Sequence, residues 1–314
     1  MRPKEDKYIM RALVTGGCGF IGSNLVERLV NEGDTVIVYD NLHTGSRDNI
    51  SSLDVDIHIQ LRVRPYKNLL EEVKDVDVIF HLGMPSSSPM YKDDPELVAW
   101  TINDAIDIFE YSKQTGCKVV YASSSSLYNG NIVPFREDMD IYVTDYYTET
   151  RYWIERLAHL YNSMFDVHSV GLRLFSVYGR KEYYKGKYAN IVTQFLWSIS
   201  RDRPPLIYGV GTQSRDFIHV DDVVEAFILA SRRDFECEIF NVGTGVSYSF
   251  NQVVEIVNKA LDKNVRPVYV PNPIKNYVYH TLADTTKASS MLGFQSNISL
   301  EDGIQRLIKD YKIR

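Results

Sequence analysis

Along the first half of the chain, short apolar runs alternate with stretches whose apolar residues recur every three or four positions. The runs Ile9–Thr15, Thr35–Asp40, Asp56–Gln60, Val76–Leu82, Lys118–Ser123 and Val167–Leu174 predict strands. Each is short and rich in Val and Ile, as in strands buried on both faces. The helical pattern falls between them. Phe20–Asn31 carries Ile21, Leu25, Val26, Leu29 and Val30 at helical spacing. Pro95–Gln114 opens on a proline, favoured in a first turn, and stops before Gly116. Tyr147–Phe165 forms a third long helix. This alternation predicts an α/β fold built on a doubly wound parallel sheet. After about residue 175 the rhythm loosens, with Pro204, Pro205, Pro267, Pro271 and Pro273 interrupting it. Helical patterns persist at Ala189–Ser200, Asp221–Ser231, Ser249–Leu261 and Ser299–Tyr311, which predict a smaller α/β lobe laid across the end of the sheet.

Composition narrows the class. A chain of 314 residues holds two domains or one large unit, and buries its core without a disulfide or metal staple. With 44% hydrophobic and 24% charged residues it is neither disordered, collagen-like nor a coiled coil. The net charge of −6, with no basic run, argues against nucleic acid as a partner. Cys18, Cys117 and Cys237 are too scattered for a disulfide framework or a zinc site. Met1–Tyr8 leads into no signal-like segment, and no run approaches the roughly 20 apolar residues of a membrane span. The expectation is a cytoplasmic protein without metal, nucleic acid or membrane. Tyrosines number 22 against 13 phenylalanines, which directs attention to phenols as acid–base groups.

The strand ending at Thr15 runs into Gly16-Gly17-Cys18-Gly19-Phe20-Ile21-Gly22 and then a helix. Gly17, Gly19 and Gly22 fit G-x-G-x-x-G; Gly16, Gly19 and Gly22 fit G-x-x-G-x-x-G. Such glycines permit a tight turn, close backbone approach to a pyrophosphate and close helix–strand packing. The anion then rests on the free N–H groups of the helix start. Asp40, eighteen residues past Gly22, ends the next strand where a carboxylate grips a ribose 2′-hydroxyl and repels a 2′-phosphate. The pattern predicts NAD rather than NADP, with Arg47 as the residue a 2′-phosphate would use.

A second constellation follows a buried strand. Tyr121-Ala122-Ser123-Ser124-Ser125-Ser126-Leu127-Tyr128 sits beyond a strand's carboxyl end, where open α/β sheets bind ligands. Tyr147 and Arg151 share a helix face, with Glu155 one turn further. A phenol with a pKa near ~10 is a poor base at neutral pH, and a fixed cation one turn away lowers that value. A serine hydroxyl opposite completes a proton-transfer pair. Without the nucleotide motif, the same residues read as a loop and a solvated helix face.

The ordered set Thr15–Gly22, Tyr39-Asp40-Asn41-Leu42, Phe80-His81-Leu82, Ser123–Tyr128, Tyr147…Arg151…Glu155, Arg173–Gly179, Arg215–Asp221 and Ala283-Asp284…Lys287-Ala288 resembles the extended short-chain dehydrogenases/reductases. It is most similar to their nucleotide-sugar epimerases, typified by UDP-galactose 4-epimerase. The resemblance implies a Rossmann-type sheet with a nucleotide-sugar lobe. The cofactor domain would be residues 1–175 plus about 212–245, and the substrate lobe 176–211 plus 246–314. It implies NAD on Gly16, Gly19, Phe20, Ile21, Gly22, Asp40, Asn41, Leu82, Tyr147 and Arg151. It also implies a sugar nucleotide, a UDP-hexose, on Ser124, Ser176, Asn190, Tyr208, Arg215 and Lys275. Tyr147 would be the base that takes the 4-hydroxyl proton while hydride passes to NAD. Ser124 would assist. The 4-keto sugar would then turn over and receive the hydride on its other face. The long helices Pro95–Gln114 and Tyr147–Phe165 would pair two copies into a homodimer.

The chain departs from the family pattern at four places. Arg151 replaces the lysine of Tyr-x-x-x-Lys, and Ser176 the asparagine of Phe-Asn. The Arg-x-x-Asp/Glu clamp falls at Ile274…Tyr277, where Lys275 is the available cation, and an expected aspartate is Arg62. Relatives that eliminate water carry Thr-Asp-Glu where this chain has Ser124-Ser125-Ser126, and decarboxylases carry glutamate at Ser126. Uronic, N-acetyl or heptose epimerases and a reductase remain alternatives. Tyr183-Tyr184-Lys185-Gly186-Lys187 resembles a segment of the nucleoside-diphosphate-heptose epimerases, which use other chemistry at another carbon. A non-catalytic NAD-binding module is the alternative outside enzymes. Blander roles also stand: a helix cap for Asn190, a surface ion pair for Arg215, a core aromatic for Tyr208.

Overall fold

A computed structural model describes residues 9–59, 69–275 and 277–313. In chain order the strands are β1 Arg11–Thr15, β2 Thr35–Asp40, β3 Asp56–Ile59, β4 Val78–His81, β5 Lys118–Ser124, β6 Ser169–Leu174, β7 Ser176–Tyr178, β8 Leu206–Tyr208, β9 Ser214–His219, β10 Cys237–Val242, β11 Ser247–Ser249 and β12 Val268–Val270. The helices are α1 Phe20–Glu32, α2 Leu69–Glu72, α3 Ser88–Asp93, α4 Leu97–Thr115, α5 Tyr146–Phe165, α6 Ile191–Ser200, α7 Val220–Arg232, α8 Phe250–Leu261 and α9 Leu300–Asp310. Gln60 and Arg62, expected at and after the third strand, and Asn276 lie outside the described residues.

β10-β6-β5-β4-β1-β2-β3 form a seven-stranded sheet in that order, all parallel. Alternation along each strand feeds two cores. Ala12, Val14, Phe80 and Val120 face one cluster with Leu25 and Leu29 of α1 and Val223 and Phe227 of α7. Leu13, Ile79, Val119 and Tyr121 face the other, with Ile108 and Phe109 of α4 and Ile154 and Leu157 of α5. This two-sided burial is why these strands read as continuous apolar runs. Chain order reverses between β1 and β4, so the crevice beyond their carboxyl ends is where a ligand enters.

A third core, with Val192, Phe195, Leu196, Ile207, Val253, Val257, Ile304 and Leu307, lies under α6, α8 and α9. Nearby, β11-β9-β7 and β12-β8 form small sheets. The chain returns to the large sheet at β10, beside β6.

Two helices differ from the sequence pattern. The stretch expected as one helix over Pro95–Gln114 is α3 followed by α4, which begins at Leu97. Asp94 is extended (φ −142°, ψ 94°), the conformation forced on a residue before proline, so Pro95 separates two helices rather than opening one. α5 starts one residue early, at Tyr146, because Asp145 and Thr148 form a reciprocal capping box. No described helix is long and apolar enough to cross a membrane.

Candidate active site

A cavity of about 1040 Å³ opens beyond the carboxyl ends of β1, β4 and β5. Of the two glycine patterns, the cavity selects one: Gly16, Gly19 and Gly22 line it, while Gly17 turns toward Val38 in the sheet. Gly16 has φ +70°, a left-handed conformation, and a Cβ there would lie 2.8 Å from the Gly83 backbone. A Cβ on Gly22 would lie 2.1 Å from the Gly16 carbonyl oxygen, so α1 packs against the turn only with glycine present. The start of α1 has no side-chain cap and no acidic residue in its first turn, leaving amide donors for an anion. Phe20, Ile21, Asn41 and Leu82 line the same space.

Asp40 ends β2 at the cavity wall, its carboxylate accepting from the backbone N–H groups of Cys18 (2.8 Å) and Leu42 (2.6 Å). Burial pushes its pKa upward against those donors. Arg47 is exposed and does not line the cavity. On the opposite side, Thr15 Oγ1 accepts from the N–H groups of Leu82 and Gly83 (both 3.0 Å) and pairs with His81 Nδ1 (2.9 Å). Burial pushes His81 down to about 3. The Thr15 hydroxyl thus holds the turn after β4, and the buried, neutral imidazole of His81 pairs with that hydroxyl. The glycine cradle, uncapped amides and Asp40 fit a dinucleotide: Gly16–Gly22 would hold the diphosphate and Asp40 a ribose.

Ser124, the last residue of β5, Tyr147 and Arg151 all line this cavity. Ser124 Oγ accepts from the N–H of Ser126 (3.1 Å) and caps the short turn Ser125–Tyr128. Beneath it, Ser123 donates to Glu155 (2.5 Å), and Arg173 grips the same carboxylate twice (2.9 and 2.7 Å) while donating to the Tyr128 hydroxyl (2.8 Å). This buried network ties the serine loop to α5 and β6. The Arg151 guanidinium lies 4.9 Å from the Tyr147 ring centroid. It donates to the Met84 sulfur and the Pro85 carbonyl (both 2.7 Å), and its buried Nε has no hydrogen-bond partner among the described residues. No carboxylate among the described residues pairs with it. The cation helix spacing placed beside the phenol is therefore buried and uncancelled.

At the far end, Ser176, Asn190, Arg215 and Lys275 also line the cavity. Asn190 caps α6 through Val192 N–H (3.0 Å) and donates to Ser176 Oγ (3.2 Å), so the helix-cap alternative is realised at a cavity-lining position. Among the described residues Arg215 forms no surface ion pair. It lies between the rings of Phe250 and Tyr277 (5.5 and 5.3 Å) and donates to the carbonyls of Ser214, Val278 and Tyr279. Burial works against its charge. Tyr208 is the exception: it does not line the cavity. Its neighbour Ile207 takes the inward face of β8, so alternation turns Tyr208 outward. The sequence pattern also missed Met84–Ser88, which line the cavity after β4, and Lys185 and Tyr188. The rule that ligands meet strand carboxyl ends points to the first group; Lys185 falls in the Tyr183–Lys187 segment, whose spacing does not place it in the cavity, and no local pattern marks Tyr188.

A family model described as the NAD dependent epimerase/dehydratase family matches residues 12–243. A putative UDP-glucose 4-epimerase of Methanocaldococcus jannaschii is 32% identical, covering 94% of this chain and 96% of its own. The UDP-glucose 4-epimerase of Thermotoga maritima, solved with UDP-glucose, superposes with TM-score 0.90 at 28% identity, covering 96% of this chain and 99% of its own. A UDP-glucuronic acid 4-epimerase from Bacillus cereus, in complex with UDP-glucuronic acid and NAD, superposes with TM-score 0.86 at 26% identity, covering 96% of this chain and 99% of its own. With this Rossmann-type sheet and dinucleotide cradle, the chain belongs to the NAD-dependent epimerase/dehydratase family of extended short-chain dehydrogenases/reductases.

Proposed function

We propose that this enzyme inverts carbon 4 of a UDP-hexose, interconverting UDP-glucose and UDP-galactose. The observation that carries the reading is the meeting of Ser124, Tyr147 and Arg151 with the Gly16–Gly22 cradle in one cavity. NAD, when bound, supplies a hydride acceptor that later returns the hydride. Tyr147 takes the proton of the 4-hydroxyl and gives it back, with Ser124 hydrogen-bonded to the same oxygen. Arg151 holds positive charge beside the phenol; as a guanidinium it stays protonated and fixes the loop after β4 by binding Pro85. Ser126 stands where decarboxylating relatives carry an acid, which favours moving a hydride out and back over breaking a carbon bond.

The sugar diphosphate lies along Asn190 and Arg215, with Lys275 as a third contact. Residues 1–175 plus about 212–245 act as the cofactor domain, and 176–211 plus 246–314 as the substrate lobe. Two copies pair through α4 and α5, where Leu160 and Met164 are exposed. The neighbour that binds UDP-glucuronic acid supports a UDP-hexuronate as the second reading. A panel of UDP-glucose, UDP-glucuronate and UDP-N-acetylglucosamine, with products resolved by anion exchange, tests the proposal. The expected result is a C4 epimer of UDP-glucose without net growth at 340 nm. No epimer from any sugar while NAD is bound, or steady release of NADH, contradicts it.

A further inference from the structure

Between β7 and α6 the segment Tyr183–Tyr188 forms a short helical stretch, broken at Gly186 (φ 51°, ψ −119°). It is tied to the first half of the chain on both flanks. Tyr184 donates its hydroxyl to Asp48, beyond β2. Tyr188 donates to Asp93 at the end of α3 (3.2 Å), and Lys187 Nζ lies 3.7 Å from the same carboxylate.

Between these ties Lys185 lines the cavity, with only 14% of its side chain exposed. Its Nζ is 5.0 Å from the centroid of the Phe20 ring and 3.2 Å from Glu182 Oε1. Glu182 is fully buried and also accepts from the Asn190 backbone N–H (2.7 Å) and the Thr193 hydroxyl (2.5 Å), so the start of α6 fixes it in place. Holding a long lysine side chain still costs rotamer freedom, and one carboxylate contact uses one of its three donors. Phe20 is the first residue of α1, whose opening amides form the anion site.

Resting on the NAD-binding reading, we propose that Lys185 donates to the diphosphate of the bound dinucleotide. It would close from across the cleft the anion site that α1 opens, with Glu182 as its positioning residue. An ammonium suits that task as a point charge on phosphate oxygens.

The test compares the full chain with K185Q and K185R, measuring NADH binding by fluorescence and UDP binding by calorimetry, each without sugar turnover. K185Q is expected to bind NADH about ten-fold more weakly, the size of one charge-assisted hydrogen bond. K185R is expected to recover most of that loss, and UDP affinity to stay unchanged in both. Unchanged NADH binding overturns the proposal. So does a loss confined to UDP, which assigns Lys185 to the sugar nucleotide's diphosphate. A parallel loss of both ligands in K185Q and K185R also overturns it, because the packing of the segment would then be at fault. Failure of the epimerase reading shows separately, as absent turnover in the unaltered chain.

Discussion

Tyr147 and Arg151 are one turn apart on α5, and their division of labour is testable by separate readouts. Tyr147→Phe removes the proton acceptor and leaves the cradle intact. Turnover should fall by roughly 10²–10⁴-fold with NADH affinity unchanged, checked by product assay and fluorescence titration. Arg151→Met should weaken both, because it leaves the Pro85 carbonyl unpaired and loosens the wall after β4. His81 gives a pH signature. Its folded pKa, about 3, lies below the unfolded value near ~6.5, so its contribution is present above pH ~6.5 and is lost as pH falls toward 3. Urea unfolding of His81→Asn should therefore lose about 2 kcal/mol less than the parent chain between pH 7 and pH 5. Equal losses in both proteins would show that His81 does not set this pH dependence. The residues legible beforehand were those in local patterns: the glycines, Asp40, and Tyr147 with Arg151 at helical spacing. Lys185 and the Thr15–His81 pair were not, since their roles arise from contacts across 66 or more sequence positions or from a tie that no spacing encodes.

At the level of elements, the β1–α1 unit is the most constrained. Gly22→Val puts a branched side chain where even a Cβ would meet the Gly16 carbonyl at 2.1 Å. The expected outcome is loss of NADH binding together with a lowered melting temperature, by several degrees if α1 shifts as a unit. A variant that keeps both would show that α1 is not seated by this contact. The strands of the large sheet were legible because each is buried on both faces and reads as an apolar run. Short strands such as β7, β8, β11 and β12 span three residues each, too few for alternation to register. The break at Asp94-Pro95 is ambiguous in sequence because proline is favoured both inside a first turn and just after a helix end.

For the whole molecule, the parallel, doubly wound character of the sheet follows from the alternation of elements, but the strand order and the meeting of the lobes do not. Arg215, Asn190 and Lys275 reach the cavity from segments separated by dozens of residues, and only the assembled chain brings them to the Gly16–Gly22 cradle. That convergence is what an enzyme needs to hold a dinucleotide and a sugar nucleotide face to face. In the proposed reaction a hydride leaves carbon 4 and returns to the same carbon. That return is tested most directly with UDP-glucose carrying deuterium at carbon 4, following the label by NMR in the product. The expected product is UDP-galactose with deuterium retained at carbon 4 and no net NADH. Deuterium lost to water, or found in released cofactor, would contradict it.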